Sequence, residues 1–141
     1  MRMDRLTLRF LIAVMLASVS LAALASSSVR VFTDGDSVET LIANIPQKAR
    51  SKTNPVEKNP DATLAGRKLF EQHCAECHGE NANGTKRGPS LNVPQLEQAS
   101  SGELFWIITN GVVRSGMPSW SKLPEPQRWQ IVTFLRGYSR Y

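Results

Sequence analysis

The chain has 141 residues, 41% hydrophobic and 21% charged, with a formal net charge of +5. That length suits one domain with some extra chain. Its basic residues form no stripe interleaved with aromatics, so nucleic-acid binding is not expected.

The chain opens with MRMDR, which carries two arginines, and Arg9 follows. Phe10 to Ala25 is apolar and small, carries no charge, and ends in Ala23-Leu24-Ala25 before three serines. A basic start, an apolar stretch and a small-x-small end are the layout of a secretory signal peptide, here residues 1–25. The alternative is an uncleaved N-terminal anchor. Counted from Phe10 the stretch has 16 residues, short of the roughly 20 that a spanning helix needs. In both cases residues 26 onward are expected in the periplasm, with membrane contact only if the segment is retained. Cleavage would remove Arg2, Arg5, Arg9 and Asp4, leaving 14 basic and 11 acidic side chains, a net +3.

Residues 26–60 read as an N-terminal extension and linker. Val29 to Phe32 suits a short extended stretch. Ser37 to Ile45 has weak helical spacing through Val38, Leu41, Ile42 and Ile45. ARSKTNPVEKNP then repeats Asn-Pro, a loop signal. The segment has too few apolar residues for a core of its own, so wrapping the domain, docking a partner and tethering it all stay open.

Residues 61–141 carry the pattern of a compact helical domain. Asp61, after Pro60, is the expected N-cap of a helix running to about His73. Glycines and prolines mark residues 79–99 as loop. Ser100-Ser-Gly-Glu103 is a capping box opening a helix through Leu104, Phe105, Ile107 and Ile108, with Gly111 as its stop. The loop VVRSGMPSWSKL follows, and a last helix begins near Pro124 to Pro126. Ile131, Phe134, Leu135 and Tyr138 share its face. About 80 residues with three helices and long loops make a poor core, and such a domain often needs a staple or cofactor at its centre.

The stretch HCAECH, residues 73–78, holds both cysteines and both histidines of the chain. A Cys74–Cys77 disulfide would close too small a loop to constrain the unfolded chain much. A thiol-exchange site would sit near a βαβ pattern, which this chain lacks. A structural zinc needs four converging ligands, and one six-residue run cannot easily aim all four inward. The remaining reading is covalent haem, since C-x-x-C-H is the c-type attachment pattern. The thiols of Cys74 and Cys77 add across the two vinyl groups of one porphyrin, and His78 lies under the iron as its proximal ligand. His73 reads as a surface residue.

The sixth iron position needs another donor. Met1, Met3 and Met15 belong to the leader, which leaves Met117, flanked by Gly116 and Pro118 in a loop 39 positions after His78. A lone Met is often a core gap-filler. Here the flanking residues suit a loop folded over the opposite haem face. His/Met ligation raises the reduction potential and fills both axial positions, which argues against oxygen binding.

With CAECH, RGPSL, GMPSW and a terminal amphipathic helix in this order, residues 61–141 resemble the class I c-type cytochromes, most of all small bacterial monohaem carriers. The resemblance implies an all-α, cytochrome c-like fold with three main helices and loops wrapped around one covalent haem. It implies that Gly66 and Phe70 form the family's small-then-aromatic pair, packed against Phe134. It also implies that the Pro89 carbonyl accepts the Nδ1–H of His78. Trp106, Trp120 and Trp129 are expected in the core or at the haem edge. The implied function is one-electron transfer between transient redox protein partners, with no catalysis by the protein itself. The alternative is a dedicated haem c subunit of a larger periplasmic dehydrogenase or terminal oxidase complex.

Overall fold

The computed structural model describes residues 37–138. The leader, residues 1–25, and the extended stretch expected at Val29 to Phe32 lie outside the described residues. Seven α-helices occur among those described: α1 Val38–Ala43, α2 Gln47–Arg50, α3 Pro60–His73, α4 Ala75–His78, α5 Pro94–Gln98, α6 Ser101–Asn110 and α7 Glu125–Tyr138. A 3₁₀ turn at Val113–Ser115 separates the last two. The only β pairing among the described residues is an isolated bridge between Val112 and Met117. The domain is all-α, as the sequence implies.

The frame is a crossing of α3 on α7. Gly66 makes it possible. A Cβ there would lie 1.9 Å from the Gln130 carbonyl oxygen and 3.0 Å from Phe134 Cβ. Phe70, one turn later, is fully buried and meets Phe134 at 5.3 Å between ring centroids, tilted by 48°. Offset and tilted pairs of this kind suit the quadrupoles of both rings.

The largest buried cluster joins α6 to α7 through Leu104, Phe105, Ile108, Trp129, Ile131 and Val132. Phe105 stacks on Trp129 at 3.9 Å. A smaller cluster of Phe70, Ala82 and Phe134 lies at the α3–α7 crossing, and Leu135 touches both clusters.

Local signals explain several helix ends. The capping box holds as read: the Ser100 hydroxyl accepts from Glu103 N–H at 3.2 Å, and the Glu103 carboxylate accepts from Ser100 N–H at 2.6 Å. Gly111 stops α6 with φ +70°, a region open to glycine at no steric cost. The start of α3 differs from the sequence reading. Asn59, not Asp61, is the N-cap, and its side-chain oxygen accepts from the N–H groups of Asp61 and Ala62. Pro60 takes the first helical position, where its missing N–H leaves nothing unpaired. The expected loop at 79–99 also contains α5.

Residues 37–59 lie against the helical domain. The α2 segment packs on α6, Ile45 and Asn54 are buried, and Ile42 and Val56 touch the main cluster. Among the described residues no helix is long and apolar enough to cross a membrane.

Candidate haem crevice

Cys74 ends α3 and begins α4. Its N–H donates to Phe70 C=O at 2.8 Å. The N–H groups of Cys77 and His78 both donate to Cys74 C=O, at 3.1 and 2.9 Å. This single helical turn sets Cys77 three residues and His78 four residues beyond Cys74, so all three share a face.

Loop 79–92 is folded back on that turn. Gly84 N–H donates to His78 C=O at 2.8 Å, and Leu91 N–H to Ala82 C=O at 2.8 Å. The Thr85 hydroxyl donates to Cys77 C=O at 2.6 Å. Asn92 ties the far end, donating to Asn81 C=O and to the Asn83 side chain. Ala82 is buried at φ +52°, a left-handed conformation uncommon outside glycine. The folded loop sets the Pro89 carbonyl oxygen 2.8 Å from His78 Nδ1. A carbonyl can only accept, so Nδ1 carries the proton. In the neutral ring Nε2 then keeps its lone pair, free to bind a metal.

Met117 comes from the loop between α6 and α7. The Val112–Met117 bridge, with N–H···O distances of 3.0 and 3.1 Å, closes the 3₁₀ turn into a tight loop. The chain beyond is pinned to α6 by Trp120 N–H on Ile108 C=O at 3.1 Å and by the Ser119 hydroxyl on Thr109 C=O at 2.7 Å.

These pieces meet at one crevice. Its inner part is lined by Phe70, Leu91, Leu104, Ile107, Ile131 and Leu135 together with Cys74, His78 and Met117. The outer part is bordered by Cys77, Pro89, His73 and Trp120 and again by Cys74, His78 and Met117. All five residues singled out from the sequence (Cys74, Cys77, His78, Pro89 and Met117) therefore border the same space.

Both cysteines are free and half-buried. Burial, with a smaller push from Cys77, drives the Cys74 thiol up to about 12. Thiol exchange needs a thiolate, so this environment opposes that use. Among the described residues no three His, Cys, Asp or Glu side chains converge as metal ligands would. Two thiols, an oriented imidazole and a thioether around an apolar slot fit a haem c.

His73 departs from its reading as a surface residue. It is half-buried, with its ring 5.0 Å from Trp120. Trp129 is a core residue, and Trp120 borders the crevice. Trp106 is only half-buried and borders a separate shallow cleft beside Leu41 and Val113. Arg136 lines the inner crevice, and the sequence reading missed it. Nothing in the sequence singles it out among the other arginines.

An all-α domain with a C-x-x-C-H turn facing a methionine loop across an apolar crevice is a cytochrome c domain, and such a domain carries haem c. The comparisons with known proteins narrow the class. The chain belongs to the family described as Cytochrome C oxidase, cbb3-type, subunit III, whose model matches residues 61–135. It is 30% identical over 96 residues to the Cbb3-type cytochrome c oxidase subunit FixP of Azorhizobium caulinodans, covering 65% of this chain and 32% of that one. It is 41% identical over 86 residues to the subunit CcoP of Rubrivivax gelatinosus, covering 58% of this chain and 28% of that one. Each match thus spans about a third or less of the relative's own length. The crystal structure of cytochrome CL from Methylophaga aminisulfidivorans superposes with a TM-score of 0.52 at 28% identity, over 59% of this chain and 57% of that one.

Proposed function

We propose that residues 61–141 hold a single haem c and pass one electron at a time, as a dedicated haem c subunit of an exported terminal oxidase complex. Cys74 and Cys77 would hold the haem through two thioether links, and His78 and Met117 would hold its iron. The observation that carries this reading is the 2.8 Å contact from His78 Nδ1 to the Pro89 carbonyl, made at the crevice that Met117 also lines.

Bound in this crevice, the iron of the haem supplies ferric–ferrous chemistry. The chain does the rest. Pro89 holds the imidazole in one tautomer and raises its basicity. The Val112–Met117 bridge holds the backbone from which Met117 lines the crevice. With His78 and Met117 both holding the iron, no open site for oxygen would remain, which would suit transfer rather than catalysis. The apolar lining excludes water and limits reorganisation when the charge changes. Half-buried Cys77 and the exposed Pro89 support electron exchange at the thioether edge.

Family membership supports the oxidase-subunit reading over a free periplasmic carrier. The superposition on cytochrome CL keeps the carrier as the second reading. The leader-like residues 1–25 support export, as does a haem group attached outside the cytoplasm.

The test is the optical spectrum of the reduced protein with and without carbon monoxide. A sharp low-spin c-type spectrum unchanged by carbon monoxide is expected, and Met117→Ala is expected to make it responsive. A wild-type spectrum that shifts with carbon monoxide would remove Met117 from its role. Purification from membranes under mild conditions separates the two partner readings: co-elution with oxidase subunits is expected, and isolation as a lone chain would favour the carrier.

A further inference from the structure

We infer that Arg136 is the cationic partner of a haem propionate, holding that carboxylate at the inner rim and raising the reduction potential. The inference rests on the haem-binding reading above. A haem in this crevice brings two ionised carboxylates, and a carboxylate taken from water without a partner is costly. The inner crevice offers them little. Its described lining is apolar except for His78, Asn92 and Arg136. His78 is committed to Pro89 and the iron. The Asn92 amide is committed to Asn81 C=O at 3.2 Å and Asn83 Oδ1 at 2.7 Å. Arg136 is the one remaining donor and the one permanent charge.

Its placement suits the task. Arg136 lies in the last turn of α7, half-buried. One guanidinium nitrogen, Nη1, donates to the Glu97 carbonyl at the end of α5, at 2.7 Å. That bond anchors the side chain across the crevice rim. The other guanidinium N–H groups have no hydrogen-bond partner among the described residues. A planar fork with one edge anchored and another open matches a carboxylate better than a lysine would. A positive charge beside the porphyrin favours the ferrous state, which carries one positive charge less, so it raises the potential.

The experiment uses the full chain with haem attached, as wild type, Arg136→Gln, Arg136→Lys and Arg67→Gln. Arg67 is an exposed control paired with Glu71 on the outside of α3. Midpoint potentials are read by optical redox titration. The expected result is a fall for Arg136→Gln well beyond that of Arg67→Gln, with Arg136→Lys close to wild type. Gln can still donate to Glu97 C=O, so a merely structural contact would survive in it. Equal potentials for Arg136→Gln and Arg67→Gln would overturn the inference. If Arg136→Gln fails to keep its haem, Arg136→Lys decides: haem retained at near wild-type potential supports the inference, and loss of haem there too overturns it. A wild-type chain without covalent haem would defeat the haem-binding reading itself. A normal c-type wild type with unmoved variants defeats only the role of Arg136.

Discussion

Cys74 packs against Phe70, Ala82 and Phe134, and this burial, with Cys77 beside it, pushes its thiol up to about 12 from 9.0. Below pH 9 both folded and unfolded chains hold the proton. Between 9 and 12 only the unfolded chain releases it, so the folded state binds more protons and stability falls as pH rises. For the haem-free chain the expected slope approaches about 1.4 kcal/mol per pH unit in that window. Denaturant midpoints from pH 8 to 11 check it, and Cys74→Ala should flatten the curve. A thioether has no proton to lose, so attachment of haem should also remove this dependence. Residue identity was the most legible layer of the sequence, because His78, the two cysteines and Met117 are scarce residues whose spacing has one good chemical use. Arg136 was not legible in that way. One arginine among many gives no sign of which cavity it borders until α5 and α7 are placed together.

At the scale of elements, helix signals read well where they are local. The Ser100–Glu103 capping box depends on residues three apart and needs no tertiary context. The start of α3 is ambiguous in sequence by two residues, since Asp61 and Asn59 are both competent caps and only the backbone shows that Asn59 is the extended one. Helix α5 has no sequence signature, because proline and polar residues dominate its five positions. The α3–α7 crossing was visible only through the family pattern of Gly66, Phe70 and Phe134. Its energetics follow from distance. Gly66→Ala gains up to about 1 kcal/mol of helix propensity, yet the added carbon meets the Gln130 carbonyl at 1.9 Å. That contact is backbone on rigid helix and cannot rotate away. Forced separation of the helices should cost about 1–3 kcal/mol, so a net loss is expected, read as a lower thermal midpoint of the holoprotein. Phe70→Ala, at a fully buried position, should cost more, about 3–5 kcal/mol.

At the scale of the whole molecule, composition concealed how residues 37–59 are used. Asn-Pro repeats and lysines read as linker, yet several of its polar groups have specific partners, within the segment or in the helical domain. Arg50 donates to the carbonyls of Ile42, Ala43 and Ile45 at 2.7, 2.8 and 2.9 Å, satisfying acceptors that the end of α1 leaves open. Its Nη1 lies 3.4 Å from the buried Glu103 carboxylate. Lys52 stands 5.2 Å over the Phe105 ring. Asn54 donates to the Thr133 hydroxyl at 2.9 Å and accepts from Val56 N–H at 3.0 Å. None of these contacts is periodic, so no pattern in the sequence announces them. They make the segment a strap across α6 and α7, whose other faces line the haem crevice. Two substitutions test it by different means. Asn54→Ala leaves a buried hydroxyl and an amide short of a partner and should cost about 1–3 kcal/mol. Gly102→Ala alters no hydrogen-bonding group, but its Cβ would meet Ala49 C=O at 2.2 Å and Arg50 and Lys52 C=O at 2.9 Å. That clash should lift the strap locally. The expected reading is faster proteolysis near residues 51–53 in Gly102→Ala with the c-type spectrum retained, because His78, Pro89 and Met117 lie on other segments. If the spectrum were lost together with protection of the strap, the strap and the haem crevice would unfold as one unit, and residues 37–59 would be part of the cytochrome domain's own cooperative structure.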